Sequence, residues 1–200
     1  DINNDNLTSI GVFASLTHGN FDATVSTPNF MYNQLVEKKN GTWQYTPLKY
    51  WPNNDSDKIS FFAYAPHNAT GITPSNATQK GYPSFTYTTP TAEADQVDLL
   101  AATPIINQNG GSVDFKMQHA LTKVVFNVKS NDDITGKVIT AFSITGAKSG
   151  TLAFHVPAND DDKGFGWTYP STVTAETFTA TTKSLSVPDK STPEEAMLCT

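Results

Sequence analysis

The sequence predicts an all-β fold, and three features of it support this prediction. Only 16% of the 200 residues are charged, and Thr, Ser, Asn and Gln take the place of the missing charge, as they do on exposed strand faces. Twelve Gly and twelve Pro indicate frequent chain reversals. Roughly eight to ten short apolar or alternating segments follow one another at the spacing typical of a β-sandwich.

The clearest predicted strand is Lys58–Pro66. Ile59 and Phe61 fall on one face of it, and Phe62 and Tyr64 fall on the other. Because both faces carry large apolar side chains, we expect both to be at least partly covered.

Other strands are predicted from period-two alternation and from turn signals such as Asn40-Gly41. Within them, Val124 and Phe126 are expected to point inward and Lys123 outward. Asp98–Ala102 is ambiguous between a helical turn and a strand. The further predicted strands are Ile10–Leu16, Thr42–Tyr45, Ser84–Thr88, Val113–Met117, Leu121–Lys129, Val138–Thr145 and Thr151–Val156. The predicted core residues are Phe61, Phe115, Val124, Phe126 and Phe142.

A change in composition from Pro157 onward predicts two domains. Residues 1–150 are expected to form an N-terminal β-sandwich, and residues 151–200 the start of a second, C-terminal β-sandwich that is incomplete in this chain. Ala196–Thr200 has the composition of the beginning of a strand. We therefore expect the native protein to continue beyond it, and a leader to have preceded Asp1.

Charge argues against two classes of partner. The formal net charge is −6, and every basic residue is Lys, whereas nucleic-acid recognition needs a basic patch and usually Arg. Docking on an anionic membrane also needs positive charge, and no stretch is long and apolar enough to span a bilayer. We expect neither nucleic-acid binding nor a transmembrane segment.

No catalytic, cofactor or metal site is predicted. The four histidines are far apart in sequence and lack metal-ligand spacing. The acidic run Asp160–Asp162 lacks the ligand order of a Ca²⁺ loop, so a solvated loop is the favoured interpretation. The lone Cys199 is interpreted as a small apolar strand residue, since no second Cys is present for an internal disulfide. The sequence therefore predicts a protein that is not an enzyme.

One cluster of aromatic residues leaves two interpretations open. Trp43, Tyr45, Tyr50 and Trp51 could form a platform on which sugar rings stack, or they could pack into the core. Packing is the favoured interpretation, and glycan binding is the main rival function. Five Asn-x-Ser/Thr triplets are interpreted as chance in an Asn- and Thr-rich chain; they begin at Asn6, Asn40, Asn54, Asn68 and Asn76.

Residues 7–155 resemble the fimbrillin family, the subunits of type V pili of Gram-negative gut and oral anaerobes. The resemblance depends on the order of several short motifs more than on any one of them. They are Ile10–Ser15, Asn29–Asn33, Trp43–Tyr45, Tyr50–Pro52, Phe61–Pro66, Asp98–Ala102 and Val113–Val128. Its motif residues, which we interpret as structural, are Trp51, Pro52, Phe61, Phe62, Tyr64, Pro66, Phe115, His119, Leu121 and Lys123.

The resemblance implies two transthyretin-like Greek-key β-sandwich domains in tandem. It also implies a lipoprotein precursor and a surface fibre built by donor-strand exchange. The implied partners are other fimbrial subunits joined head to tail, and host or bacterial surface ligands; shaft, tip and anchor subunits share the fold. The alternative is a cell-surface lipoprotein that binds glycans through Trp43–Trp51 and does not polymerise.

Overall fold

The computed structural model describes residues 2–128, 138–186 and 194–199. These residues form fifteen β-strands and one 3-10 turn at Glu93–Asp95, and they contain no α-helix, so the predicted all-β class is confirmed. No helix in the described part is long and apolar enough to cross a membrane. The strands are β1 Ser9–His18, β2 Met31–Lys39, β3 Thr42–Gln44, β4 Asp57–Ala65, β5 Ile72–Pro74, β6 Ser84–Thr88, β7 Leu100–Ala102, β8 Ile105–Gln108, β9 Met117–His119, β10 Lys123–Val128, β11 Val138–Ala147, β12 Ser149–Phe154, β13 Phe165–Thr168, β14 Ala175–Ser186 and β15 Glu194–Cys199.

A seven-stranded antiparallel sheet, here called the main sheet, is the centre of the fold. Its order is β3-β2-β1-β4-β7-β9, with β8 also paired to β4. The pairing of β1 with β4 is continuous from Gly11↔Tyr64 to His18↔Asp57. In β4, Ile59 and Phe61 are buried on one face and Phe62 and Tyr64 on the other. The prediction that this strand is covered on both faces is confirmed.

A second sheet, in the order β13-β12-β6-β5, covers one face of the main sheet. Aromatic rings fill the interface, with ring centroids 5.1 Å apart for Tyr64 and Phe85 and 5.7 Å apart for Phe62 and Phe154. β12 crosses residue 150 and pairs with β6 from Ser149↔Thr88 to Ala153↔Ser84. This pairing continues through the predicted domain boundary, while the division into two tandem domains stays a prediction.

Two further pairs of strands, β10–β15 and β11–β14, are called the open unit here. The two pairs touch through Phe126 and Phe142, whose rings stack with centroids 4.8 Å apart. Val124 and Phe126 are half-buried and Val125 is exposed, so the predicted inward face of β10 is confirmed.

The structure corrects several predictions of burial. Phe61 is buried as predicted, but Phe115, Val124, Phe126 and Phe142 are only half-buried. The last three lie in the two-stranded sheets of the open unit, where Phe178 and Ala180 of β14 are the buried apolar residues. Phe115 lies in an irregular segment and packs against the core. Of the strand predicted at Val113–Met117, only Met117 lies in a strand, at the start of β9.

Candidate ligand-binding groove

The outer face of the main sheet, opposite the second sheet, carries a groove of about 670 Å³. A tight turn at Asn40 and Gly41 joins β2 to β3, and both residues have positive φ, 52° and 78°, as a two-residue hairpin turn requires. The turn sets Trp43 opposite Lys38 in the ladder. One wall of the groove therefore begins on a rigid hairpin.

The segment that follows β3 completes the aromatic wall. The Tyr45 hydroxyl donates a hydrogen bond to the Lys49 carbonyl oxygen at 3.3 Å, which closes this segment into a compact loop. The Trp51 ring meets the Phe61 ring edge-to-face at 5.8 Å between centroids. Trp43, Tyr45, Tyr50 and Trp51, the four residues of the predicted aromatic cluster, all line the groove.

The four aromatic side chains have two different environments. Tyr45 and Trp51 are half-buried and pack against the core of the main sheet. Trp43 is 41% exposed and Tyr50 is 79% exposed. Packing and an exposed platform therefore coexist in one cluster, and whether the exposed pair binds a glycan stays a prediction.

Strand and loop residues make the floor and the far wall. Val12 of β1 and Ile59 of β4 lie in the floor. Val113 and Phe115 pack against the same core and form the opposite wall, with the exposed Asp114 between them. The sequence did not predict this wall as part of a site, because nothing local in it indicates that it faces the aromatic loop.

Two cations lie at the groove. The Lys38 Nζ donates to the Asn4 carbonyl oxygen at 3.3 Å. The Lys49 Nζ lies 5.5 Å from the centroid of the Phe30 ring, a cation–π distance. Neither lysine has a carboxylate partner within the described ranges, and Asp114 is the one acidic residue in the lining. The groove is thus locally cationic on a chain whose net charge is −6.

The family motif residues have structural positions. Phe61, Phe62 and Tyr64 are buried in β4, and Pro66 follows it after a cis peptide bond. Pro52 is half-buried beside Trp51 in the groove loop, Leu121 packs on the core between the main sheet and the second sheet, and Lys123 begins β10 with an exposed side chain.

His119 is held by a partner that the sequence did not suggest. Its Nδ1 lies 2.8 Å from Asp98 Oδ1, and the backbone of Ile2 donates to the other oxygen of Asp98 at 2.6 Å. The contact lies beside the pairing of Leu100 with His119 between β7 and β9. His119 therefore ties the end of β9 to the segment before β7, a structural contact that no local sequence pattern indicates.

The acidic run Asp160–Asp162 lies in a loop that Asp162 holds together by local hydrogen bonds. The Asp162 carboxylate accepts hydrogen bonds from the Ala158 and Gly164 N–H groups, at 3.0 and 2.9 Å, and lies 2.8 Å from His155 Nε2. These backbone N–H groups, followed by His155, lower the pKa of Asp162 to about 2. In the described residues no three His, Cys, Asp or Glu side chains are grouped to hold a metal ion.

Two packed antiparallel sheets with an aromatic groove define a β-sandwich protein of structural or binding type. The chain belongs to the fimbrillin-like family, whose model it matches over residues 2–198. This is a family of fimbrial structural subunits and not of enzymes.

Two related proteins are informative. Fimbrium subunit Fim1C of Phocaeicola vulgatus is 36% identical over 156 residues, which is 69% of this chain and 41% of that protein. The chain thus spans less than half the length of this relative. The crystal structure of a fimbrial protein from Bacteroides vulgatus superposes with a TM-score of 0.76 at 25% identity and covers 95% of this chain and 69% of the other.

Proposed function

We propose that this chain is a structural and adhesive subunit of a type V fimbria. It is exported as a lipoprotein precursor and joins other subunits head to tail at the bacterial cell surface by donor-strand exchange. Membership of the fimbrillin-like family and the similarity to a fimbrium subunit support the general role.

The pairing of strands in the open unit is the observation that supports donor-strand exchange. β10 pairs only with β15, and β11 pairs only with β14, among the strands of the described residues. A two-stranded sheet is marginal in water because it has little apolar area to bury. Phe126 and Phe142 accordingly remain half-buried.

A donor strand would both extend the two-stranded sheets and cover the half-buried rings of the open unit. An extended segment that adds to an open edge pairs with unused backbone N–H and C=O groups, and its alternate side chains cover apolar residues. The donor and the acceptor are different surfaces, so the contact is head-to-tail and propagates a filament instead of closing a dimer.

The test is made on surface material sheared from native cells and separated with and without boiling, with detection by an antibody to this chain. We expect a ladder of bands that collapses only on boiling. A single monomer band in both lanes would contradict polymerisation and favour the alternative, a glycan-binding lipoprotein that remains monomeric.

Two double variants locate the surface that assembles. Phe126→Ala with Phe142→Ala should shorten or abolish the ladder, since it removes the half-buried rings of the open unit. Trp43→Ala with Tyr50→Ala truncates two partly exposed aromatic side chains elsewhere and should leave the ladder intact. An unchanged ladder in the first variant would exclude the open unit as the acceptor.

A further inference from the structure

The most exposed apolar side chains in the lining of the groove are the aromatic ones of Trp43 and Tyr50. The floor side chains Val12 and Ile59 are only 2% and 1% exposed, so a bound molecule would barely touch them. It would instead meet the faces of Trp43 and Tyr50, which pack against neither core. The lining also includes the half-buried Val36, Val113 and Met117, so an acyl chain would find apolar contacts there too, and decanoate is therefore the competing probe.

Aromatic faces of this kind suit a pyranose ring. The ring π-face carries partial negative charge, and it attracts the weakly positive C–H face of a sugar while shielding both from water. Polar groups beside the aromatic wall can then bond to the hydroxyl groups and fix the orientation. Tyr50 itself has a hydroxyl group, and Asp114 has a carboxylate on the opposite wall.

The charge of the groove selects among saccharides. Lys38 and Lys49 both lie in the lining, without carboxylate partners in the part of the chain that the structure describes, against the single carboxylate of Asp114. An ammonium group forms strong, charge-assisted hydrogen bonds with a carboxylate. A saccharide that carries a carboxylate therefore matches the groove better than a neutral one.

We propose that the groove is an adhesion site for an acidic saccharide. One sugar ring stacks on Trp43 and Tyr50, and its carboxylate lies toward Lys49 and Lys38. This site deepens the adhesive part of the proposed function and rests on it, but it is separate from the open unit that carries assembly.

The binding test uses the whole chain and isothermal titration calorimetry with trigalacturonate, a hyaluronan tetrasaccharide and sialyllactose. Each is compared with its methyl ester, which keeps the rings and removes the charge. We expect at least one acid form to bind, and its ester to bind about tenfold more weakly, a difference of about 1.4 kcal/mol. Binding should also alter the fluorescence of Trp43.

Two variants test the named contacts. Trp43→Ala with Tyr50→Ala should weaken binding by about tenfold or more for both acid and ester. Lys49→Gln should weaken only the acid form, by about threefold, the effect expected for one exposed ion pair. Far-ultraviolet circular dichroism and the melting temperature of each variant confirm that the fold is retained.

Several outcomes would overturn the site. The first is that no acid form binds at concentrations up to about 10 mM, a range that covers weak adhesion. The second is that acid and ester bind equally well, and the third is that Trp43→Ala with Tyr50→Ala leaves binding unchanged. Binding of decanoate, with no binding of the acidic sugars, would assign the groove to an acyl chain. Loss of the ladder in the variant with Trp43→Ala and Tyr50→Ala would assign the groove to assembly. Binding without a ladder would support the site and contradict polymerisation, so the two proposals fail separately.

Discussion

Gly11 of β1 lies directly against the buried aromatic ring of Tyr64. A Cβ atom at this position would lie 2.7 Å from Tyr64 Cζ and 2.9 Å from Asn33 Oδ1. Tyr64 is fully buried, and its hydroxyl donates to Asn33 Oδ1 at 2.7 Å. The ring therefore has no free space into which it could move, and burial also raises its pKa.

Gly11→Ala should consequently lower the free energy of unfolding by about 1–3 kcal/mol, the usual cost of overpacking a core. Urea denaturation followed by circular dichroism gives the difference. Gly166→Ala is the matched control, since Gly166 also lies in a strand, β13, and a Cβ there has nothing within 4 Å. Equal changes for the two variants would mean that the contact with Tyr64 is not the cause.

Side-chain partners were the least predictable feature at this scale. The sequence identified His119 as a motif residue, but its partner Asp98 lies 21 positions away on another segment. The same holds for the groove, where the aromatic cluster was predicted and its opposite wall at Val113 and Phe115 was not. Such contacts depend on how strands are ordered in the sheet, and local residue patterns carry little information about that order.

Among the elements, alternation predicted strands well where a segment lies between two layers. β4 and β6 have the predicted bounds to within a residue or so, and β4 has the predicted buried faces. The prediction failed at Val113–Met117, where alternating side chains pack onto the sheet from a segment that is not itself paired before Met117. Alternation reports which side chains are buried, and it does not report whether the backbone is in a ladder.

A β-bulge explains a second difference. Strict alternation over the predicted strand Val138–Thr145 would put Val138 and Phe142 on one face, but Val138 is exposed while Ile139 and Phe142 are half-buried. The register shifts between Ile139 and Ala141, where β11 advances by two residues while the paired β14 residues go from Leu185 to Thr181, and this irregular pairing interrupts the alternation of β11. Nothing in the local composition marks that position.

The loop between β12 and β13 keeps the Asp162 carboxylate ionised at a lower pH than usual. Backbone N–H groups of Ala158 and Gly164, and then His155, lower the pKa of Asp162 from 3.8 to about 2. Because the folded-state pKa is lower than the unfolded one, the stabilising contribution is complete above about pH 4 and is lost as the pH falls through 2. The carboxyl carbon of Asp162, followed by NMR, should titrate with a midpoint near 2.

The His155→Ala variant separates the causes of this shift. The two backbone hydrogen bonds are the larger causes, so the pKa of Asp162 should rise in this variant but remain below 3.8. A full return to 3.8 would show that His155, and not the loop backbone, holds the carboxylate. A midpoint of 3.8 in the unmodified chain would contradict the loop geometry itself.

For the whole molecule, the sequence predicted the class of fold but not how completely each part is built. Phe61 and Phe126 lie in similar alternating segments, yet the first is buried under a seven-stranded sheet and the second lies in a two-stranded one. Strand number alone does not decide burial, since Phe178 of the two-stranded β11–β14 sheet is fully buried. What covers a side chain depends on long-range packing, to which the alternation within one strand is insensitive.

The unequal cores predict unequal costs of truncation. Phe62 is fully buried, and its ring centroid lies 5.6 Å from that of Phe21 and 5.7 Å from that of Phe154. Phe62→Ala should therefore lower the free energy of unfolding by about 3–5 kcal/mol. Phe126 is half-buried with one stacked partner, so Phe126→Ala should cost only about 1–2 kcal/mol in the isolated chain. Guanidinium denaturation of the monomers measures both.

The same substitution should have a larger effect on the polymer. A donor strand that covers the open unit would bury the Phe126 ring further, because its side chains fill the space that solvent occupies in the isolated chain. Phe126→Ala should therefore lower the temperature at which the ladder dissociates, while Tyr50→Ala, on the exposed wall of the groove, should leave it unchanged. A monomer cost for Phe126→Ala as large as that for Phe62→Ala would instead mean that the open unit is already closed within one chain, and a strand from another subunit would have no vacant edge to fill.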